Sequence, residues 1–161
     1  MRIISDLKSF ANGKGLIKTL ATILCNPNFH CVVLFRISNF FYRIKLVPLA
    51  KIVWYINRLL FCVDIDYRAD LAGGFVLVHG LGTVIGKNVI SKGPLKVYQN
   101  VTLGGGNGKP GRIDEDGKVR GMPLFYPNCI VYTGSIVVGG IKIKENTTIK
   151  AGSIVSSDIY D

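Results

Sequence analysis

At 161 residues the chain is long enough for one catalytic unit with a modest core and too short for two large domains. Its net charge of +10 is uneven: up to Cys62 nine Lys or Arg face the single acid Asp6, and the rest is close to balanced. No recognised nucleic-acid motif accompanies the basic part, which sets a nucleic-acid partner aside, while 48% hydrophobic against 19% charged residues calls for apolar surface covered by other subunits or by lipid.

The first residues lack the basic, apolar and small-residue order of a signal peptide, so a cytoplasmic location is the default. The longest uncharged stretch, Thr19 to Phe35, is broken by Asn26, Pro27, Asn28 and His30 and does not read as a membrane span. Cys25, Cys31, Cys62 and Cys129 have neither metal-ligand spacing nor scaffold density; they read as reduced, mostly buried thiols, and no metal is expected.

From about Lys14 to Leu60 apolar residues recur at helical spacing, as in Val32, Leu34, Phe35, Ile37, Phe40, Phe41 and Ile44, with Arg36, Arg43 and Lys45 between them. Pro48 punctuates, and Ile52, Val53, Tyr55, Ile56, Leu59 and Leu60 continue a second helix. The spacing predicts an α-helical segment over 1–62, packing on itself and on neighbouring subunits or resting a basic amphipathic face on anionic headgroups.

After Val63 a period of six appears. Phe125, Val131, Val137, Ile143, Ile149 and Val155 fall six apart, and Asn128, Gly134, Gly140, Asn146, Gly152 and Asp158 follow each by three. Bulky apolar residues followed by residues that tolerate a left-handed backbone imply one short strand and one corner per six residues, three units closing a triangular coil. Upstream, Val97 and Leu103 hold the register with Asn100 and Gly106 at corners, and Ile85 with Asn88 belongs to an earlier coil; a residue or two inserted near 92–94 is expected to break the phase. Over 104–124 the period vanishes into a polar, Gly-rich excursion, expected to be functional because the coils resume in phase. The fold class is mainly β: a parallel β-helix over 63–161 with an extruded loop, preceded by the small helical segment.

Several strings carry a resemblance: NPNFHCVVLFRISNFFY, DIDYRADL, VHGLGTVIGKNVI, VYQNVTLGGGNGK and IKAGSIV, spanning about Asn26 to Ser157. They resemble the hexapeptide-repeat acyltransferases of left-handed β-helix fold, and within them the serine acetyltransferase-like group. The resemblance implies direct transfer of acetyl from acetyl-CoA, as co-substrate, to a hydroxyl. His79 is then the general base, and an imidazole suits that role because an alcohol is a weak nucleophile at neutral pH. Asp66 is the carboxylate implied to fix the ring, with Asp64 and Asp70 close enough in sequence to be confused with it. Gly104 and Gly105 are implied beside the thioester, with the amides of Gly104, Gly105 and Gly106 as oxyanion donors. Thr133 and Ala151 are implied along the pantetheine path, and Lys109 and Arg112 are candidate phosphate contacts. The site is implied to lie between subunits of a homotrimer, either alone or as one of a pair of trimers docked through the helices.

Two departures bear on the acceptor. Met122 stands where the group has a second histidine before Pro123, and Val78 stands where it has an acid before the base. The sequence also reaches Asp161 without the group's final strand, which implies a thinner coenzyme cover. These departures and the basic, apolar N-terminus favour a sugar hydroxyl of a surface-polysaccharide precursor, handled at the inner membrane face, as acceptor. L-serine acetylation toward cysteine is the alternative, and a catalytically inactive trimeric scaffold is a second.

Overall fold

The computed structural model describes residues 2–12, 15–106, 108, 111–114 and 117–160. Among these, helices α1 (Arg2–Ala11), α2 (Gly15–Cys25), α3 (Pro27–Arg43) and α4 (Val47–Phe61) precede the strands. Asn26 caps α3, its side chain accepting from the amides of Asn28 and Phe29 at 3.0 and 3.2 Å, and Pro27 and Pro48 sit in first turns, where no amide donor is needed. Sequence periodicity starts near Lys14 and misses α1.

Short parallel strands follow in three stacked sheets, forming a left-handed β-helix. Sheet A holds β1 (Asp64–Ile65), β4 (Val84–Ile85), β7 (Thr102–Gly104), β12 (Ile136–Val138) and β15 (Ile154–Val155). Sheet B holds β2 (Asp70–Leu71), β5 (Ile90–Ser91), β10 (Leu124–Phe125) and β13 (Lys142–Ile143). Sheet C holds β3 (Phe75–Val78), β6 (Leu95–Tyr98), β11 (Cys129–Val131) and β14 (Thr148–Ile149). Ile65, Leu71, Leu77, Ile85, Leu103, Phe125, Val131, Val137 and Ile143 fill the prism and are essentially inaccessible. Positive φ at Asn88, Asn100, Asn128, Gly134, Asn146 and Gly152 turns the corners; in one coil it falls on Gly139 rather than the expected Gly140.

The phase break lies elsewhere than expected. Ser91 occupies the interior position between Ile85 and Val97, so the register runs unbroken past 92–94. The two extra residues lie between Leu77 and Ile85: Asp64 pairs with Val84, twenty residues on, whereas Val84 pairs with Thr102, eighteen on. The expanded corner is the one that carries His79.

The excursion near 104–124 contains an antiparallel hairpin of β8 (Arg112–Ile113) and β9 (Val119–Arg120), folded against Gly140, where an added Cβ would collide with the backbone of Arg112 and Arg120.

A β-helix leaves its first coil open at the top, and α3 closes it. Cys31, Val32 and Phe35 join the same apolar cluster as Leu71, Phe75 and Leu77. The rest of the buried face corrects the amphipathic reading, because Arg36, Ser38 and Asn39 are buried and Phe40 is exposed. The polar residues are needed there: Asn39 donates to the carbonyls of Tyr67 and Ala69, and Arg36 to those of Leu71 and Ala72. Arg36 also pairs with Asp6 of α1, which is fully buried and accepts from the amides of Gly74 and Phe75 at 2.9 Å each. The lone acid of the N-terminal segment is thus the bolt between α1, α3 and the β-helix.

Among the described residues no single helix is long and apolar enough to cross a membrane; α2 and α3 pass together by length and composition but are bent by 69°. Cys25 and Cys62 are exposed and Cys31 and Cys129 buried, so half rather than most of the thiols are covered. Burial pushes the Cys31 thiol up to about 12.

Candidate active site

The His79 corner is built by exclusion of side chains. β3 ends at Val78, and His79 takes a left-handed conformation at φ 54°. A Cβ on Gly80 would press on Leu77 at 3.2 Å and Val63 at 3.4 Å, while the Gly80 amide donates to Asn28 Oδ1 of α3 at 2.9 Å. Gly82 has φ 70°, and a Cβ there would clash with the Asn100 side chain. Thr83 is buried and donates to the Tyr98 carbonyl. The His-Gly-x-Gly string therefore has a steric cause, and its outcome is an exposed imidazole that no described residue hydrogen-bonds, held on an over-determined turn.

Sheet A separates two corners. Thr133 and Ala151 lie on the same corner as His79, between sheets C and A: Asn100 donates its amide to the Leu81 carbonyl, Gly134 to that of Gln99, and Gly152 to that of Thr133. Gly104 and Gly105 lie at the other edge, where β7 leaves toward sheet B. Met122 leans across that second corner, its methyl within 3.4 Å of a Cβ built on Gly105 and 3.7 Å of one built on Gly86. A protomer does not bring His79 together with its own Gly-rich run.

Asp66 is also at the second corner. Both its oxygens are held by Arg68, at 2.6 to 2.8 Å, and it makes no hydrogen bond to His79. The hydrogen bond and charge of Asp66 raise Arg68 further above its ordinary value. Asp64 lies nearer the histidine corner: its amide donates to the Thr83 carbonyl and Gly82 donates to the Cys62 carbonyl, so residues 62–64 run alongside 82–84. Its carboxylate accepts from the Trp54 indole at 2.9 Å and pairs with Arg58 at 3.2 Å. The β1–β4 register is what sequence spacing alone did not supply.

Arg112, the candidate phosphate contact, is buried, paired with Asp114 at 2.7 Å, and donates to the Met122 carbonyl. It fastens the hairpin. Lys109 lies outside the described residues. Among the described residues no group of three or more His, Cys, Asp or Glu could hold a metal ion.

No protein-family profile matches the chain. It is 36% identical to the serine acetyltransferase of Synechococcus elongatus over 140 residues, 87% of this chain and 54% of that one. It is 32% identical to the serine acetyltransferase of Bacillus subtilis over 86% of this chain and 60% of the relative. The crystal structure of Neisseria gonorrhoeae serine acetyltransferase in complex with serine superposes with a TM-score of 0.83 at 26% identity, covering 98% of this chain and 62% of that one. Over most of its length the chain is similar to serine acetyltransferases, and it shares their hexapeptide-repeat fold. It spans between half and two thirds of the length of these serine acetyltransferases. The serine acetyltransferase isoform 3 of Entamoeba histolytica, in complex with cysteine, shares the fold at a TM-score of 0.81 and 21% identity.

Proposed function

We propose that the chain is an acetyl-CoA-dependent O-acetyltransferase with His79 as general base. The observation that carries this reading is the expanded corner, which spends two extra residues and a left-handed histidine to present an imidazole to solvent. The acceptor hydroxyl gives its proton to the His79 ring as its oxygen adds to the thioester carbonyl. The amides of Gly104, Gly105 and Gly106 receive the oxyanion, the C–S bond breaks, and the imidazolium returns the proton to the leaving thiolate.

Because His79 and the Gly-rich run occupy opposite edges of sheet A, the reaction requires one protomer's histidine corner to meet its neighbour's Gly corner. That head-to-tail contact closes as a homotrimer. The sheet between them supports this: Val84, Ile136 and Ile154 form an exposed apolar column in register with Thr102. Thr133 and Ala151 then line the coenzyme path beneath the histidine.

L-serine is the acceptor that the relatives favour, being named serine acetyltransferases, one of them holding serine in its crystal structure. They lend no support to the sugar acceptor expected from Val78 and Met122. Thiol release from acetyl-CoA with L-serine tests the reading: His79→Ala is expected to lose about 10²–10⁴-fold in kcat with the trimer intact. A wild-type chain that trimerises without releasing thiol under any acceptor is the scaffold instead.

Peripheral contact with an anionic membrane surface is a second part of the proposal. Leu16, Ile17 and Leu24 of α2 and Leu59 and Leu60 of α4 are well exposed, Lys18, Lys45 and Lys51 have no carboxylate partner among the described residues, and the only acid before Cys62 is buried. A second copy of such a face would oppose like charge, whereas anionic headgroups complement it. Co-sedimentation with phosphatidylserine vesicles, lost at high salt, is expected; equal binding to neutral vesicles, or a hexamer in their absence, argues against it.

A further inference from the structure

A groove of about 320 Å³ opens beside His79, between the end of α1, α2, the first turn of α3 and strand β3. Its polar lining is Ser9, Asn12, Asn26, Asn28 and the His79 ring with two cations, Lys18 and Lys96, and no carboxylate among the described residues. Lys96 lies in the sheet C ladder between Val76 and Ile130, an apolar bed for its stem that leaves the ammonium free to reach an anion. A second depression of about 260 Å³ continues from the same Lys96 toward Ile130.

The acids that could turn toward this groove are already committed. Asp6 is buried in its bonds to Arg36 and two backbone amides. Asp64 is held by Trp54 and Arg58, and Asp70 by Arg2 and Arg43. Burial alone would push the Asp70 carboxyl up, but the two guanidiniums outweigh it and hold it below the usual range. Val78, immediately before the base, adds no charge. An α-ammonium entering the groove thus meets cations and neutral amides, whereas a carboxylate or phosphate meets two lysines.

Resting on the proposed acetyl transfer at His79, we infer that Lys96 and Lys18 grip the acceptor through an anionic group, and that an ammonium on the acceptor is dispensable. The groove takes hydroxy acids as well as hydroxy amino acids. Specificity then falls on the anion, since a site built to pair a carboxylate leaves its lysines unmatched when that group is missing.

The test compares thiol release from acetyl-CoA with L-serine, with 3-hydroxypropionate, which is serine without its ammonium, and with ethanolamine, which lacks the carboxylate. Expected are a kcat/KM for 3-hydroxypropionate within about threefold of that for L-serine, and a loss of at least about 100-fold for ethanolamine. Lys96→Gln is expected to raise KM for both acids about tenfold while leaving kcat and the KM for acetyl-CoA in place. Ethanolamine reacting as well as L-serine, 3-hydroxypropionate inert while L-serine reacts, or an unmoved KM in Lys96→Gln each overturns the inference and leaves the transferase reading standing. Absence of thiol release with every acceptor is instead a failure of the transferase reading. Calorimetric titration with 3-hydroxypropionate then decides the groove alone: binding about tenfold weaker in Lys96→Gln upholds anion recognition, and equal or undetectable binding in both proteins overturns it.

Discussion

A carboxylate orients an imidazole only from hydrogen-bonding distance, and spacing along a chain does not report that distance. Asp64, Asp66 and Asp70 lie within seven residues, yet the β-helix sends them to three different surroundings: beside the histidine corner, into a clasp with Arg68, and under α1 and α3 with Arg2 and Arg43. The ladder between β1 and β4 brings Asp64 nearer than Asp66 to the histidine corner, although Trp54 and Arg58, not the imidazole, hold its carboxylate here. Asp64→Asn is expected to lower kcat by at least about tenfold and to shift the pH profile of kcat, with Asp66→Asn within about threefold of the wild type. Steady-state kinetics of the two variants across pH decide between them, and the opposite ranking restores Asp66 to the role that the family resemblance implied. His79 was singled out by the family resemblance of its string, and steric demand at Gly80 and Gly82 gives that string a physical cause.

At the scale of elements, periodic patterns announced the coils while the capping of the first coil was silent. Phe125 to Val155 repeat because each residue fills the inward slot on the next face of the prism, three to a coil. Arg36, Asn39 and Asp6 follow no period, since they are placed to satisfy particular carbonyls and amides at the open end of the prism. A helical wheel puts arginine outside and phenylalanine inside, and here backbone hydrogen bonding wins over that pattern. The same logic hid the hairpin of β8 and β9, whose buried arginine reads in sequence as a solvated loop cation. Asp6→Ala removes one partner of a buried ion pair and strips two amides, so a loss of about 3–5 kcal/mol is expected in urea unfolding. A loss under about 1 kcal/mol would mean that α1 is not fastened to the β-helix through this residue.

For the whole molecule, the three faces of the prism differ in kind. Sheet A presents an apolar column, sheet B a charged surface that includes Asp70, Lys92 and Lys142, and the top of sheet C is covered by α1 and α3. One face is therefore suited to self-association, one to water and one to the cap, and the first is the face that the proposed transfer between copies would use. Sequence showed the rod but not which face is apolar on its outside, since that depends on the register that aligns Val84, Ile136 and Ile154.

The separation of the histidine corner from the glycine corner has a genetic consequence. Under the proposed transfer between copies, a protomer with a ruined base and a protomer with a ruined oxyanion loop are each dead alone, yet in random mixtures about one junction in four pairs a sound edge from each. Co-refolding equal amounts of His79→Ala and Gly105→Trp chains is expected to return about a quarter of normal turnover, so two null alleles would rescue one another. Activity that stays at zero in the mixture would mean that each subunit works within its own borders.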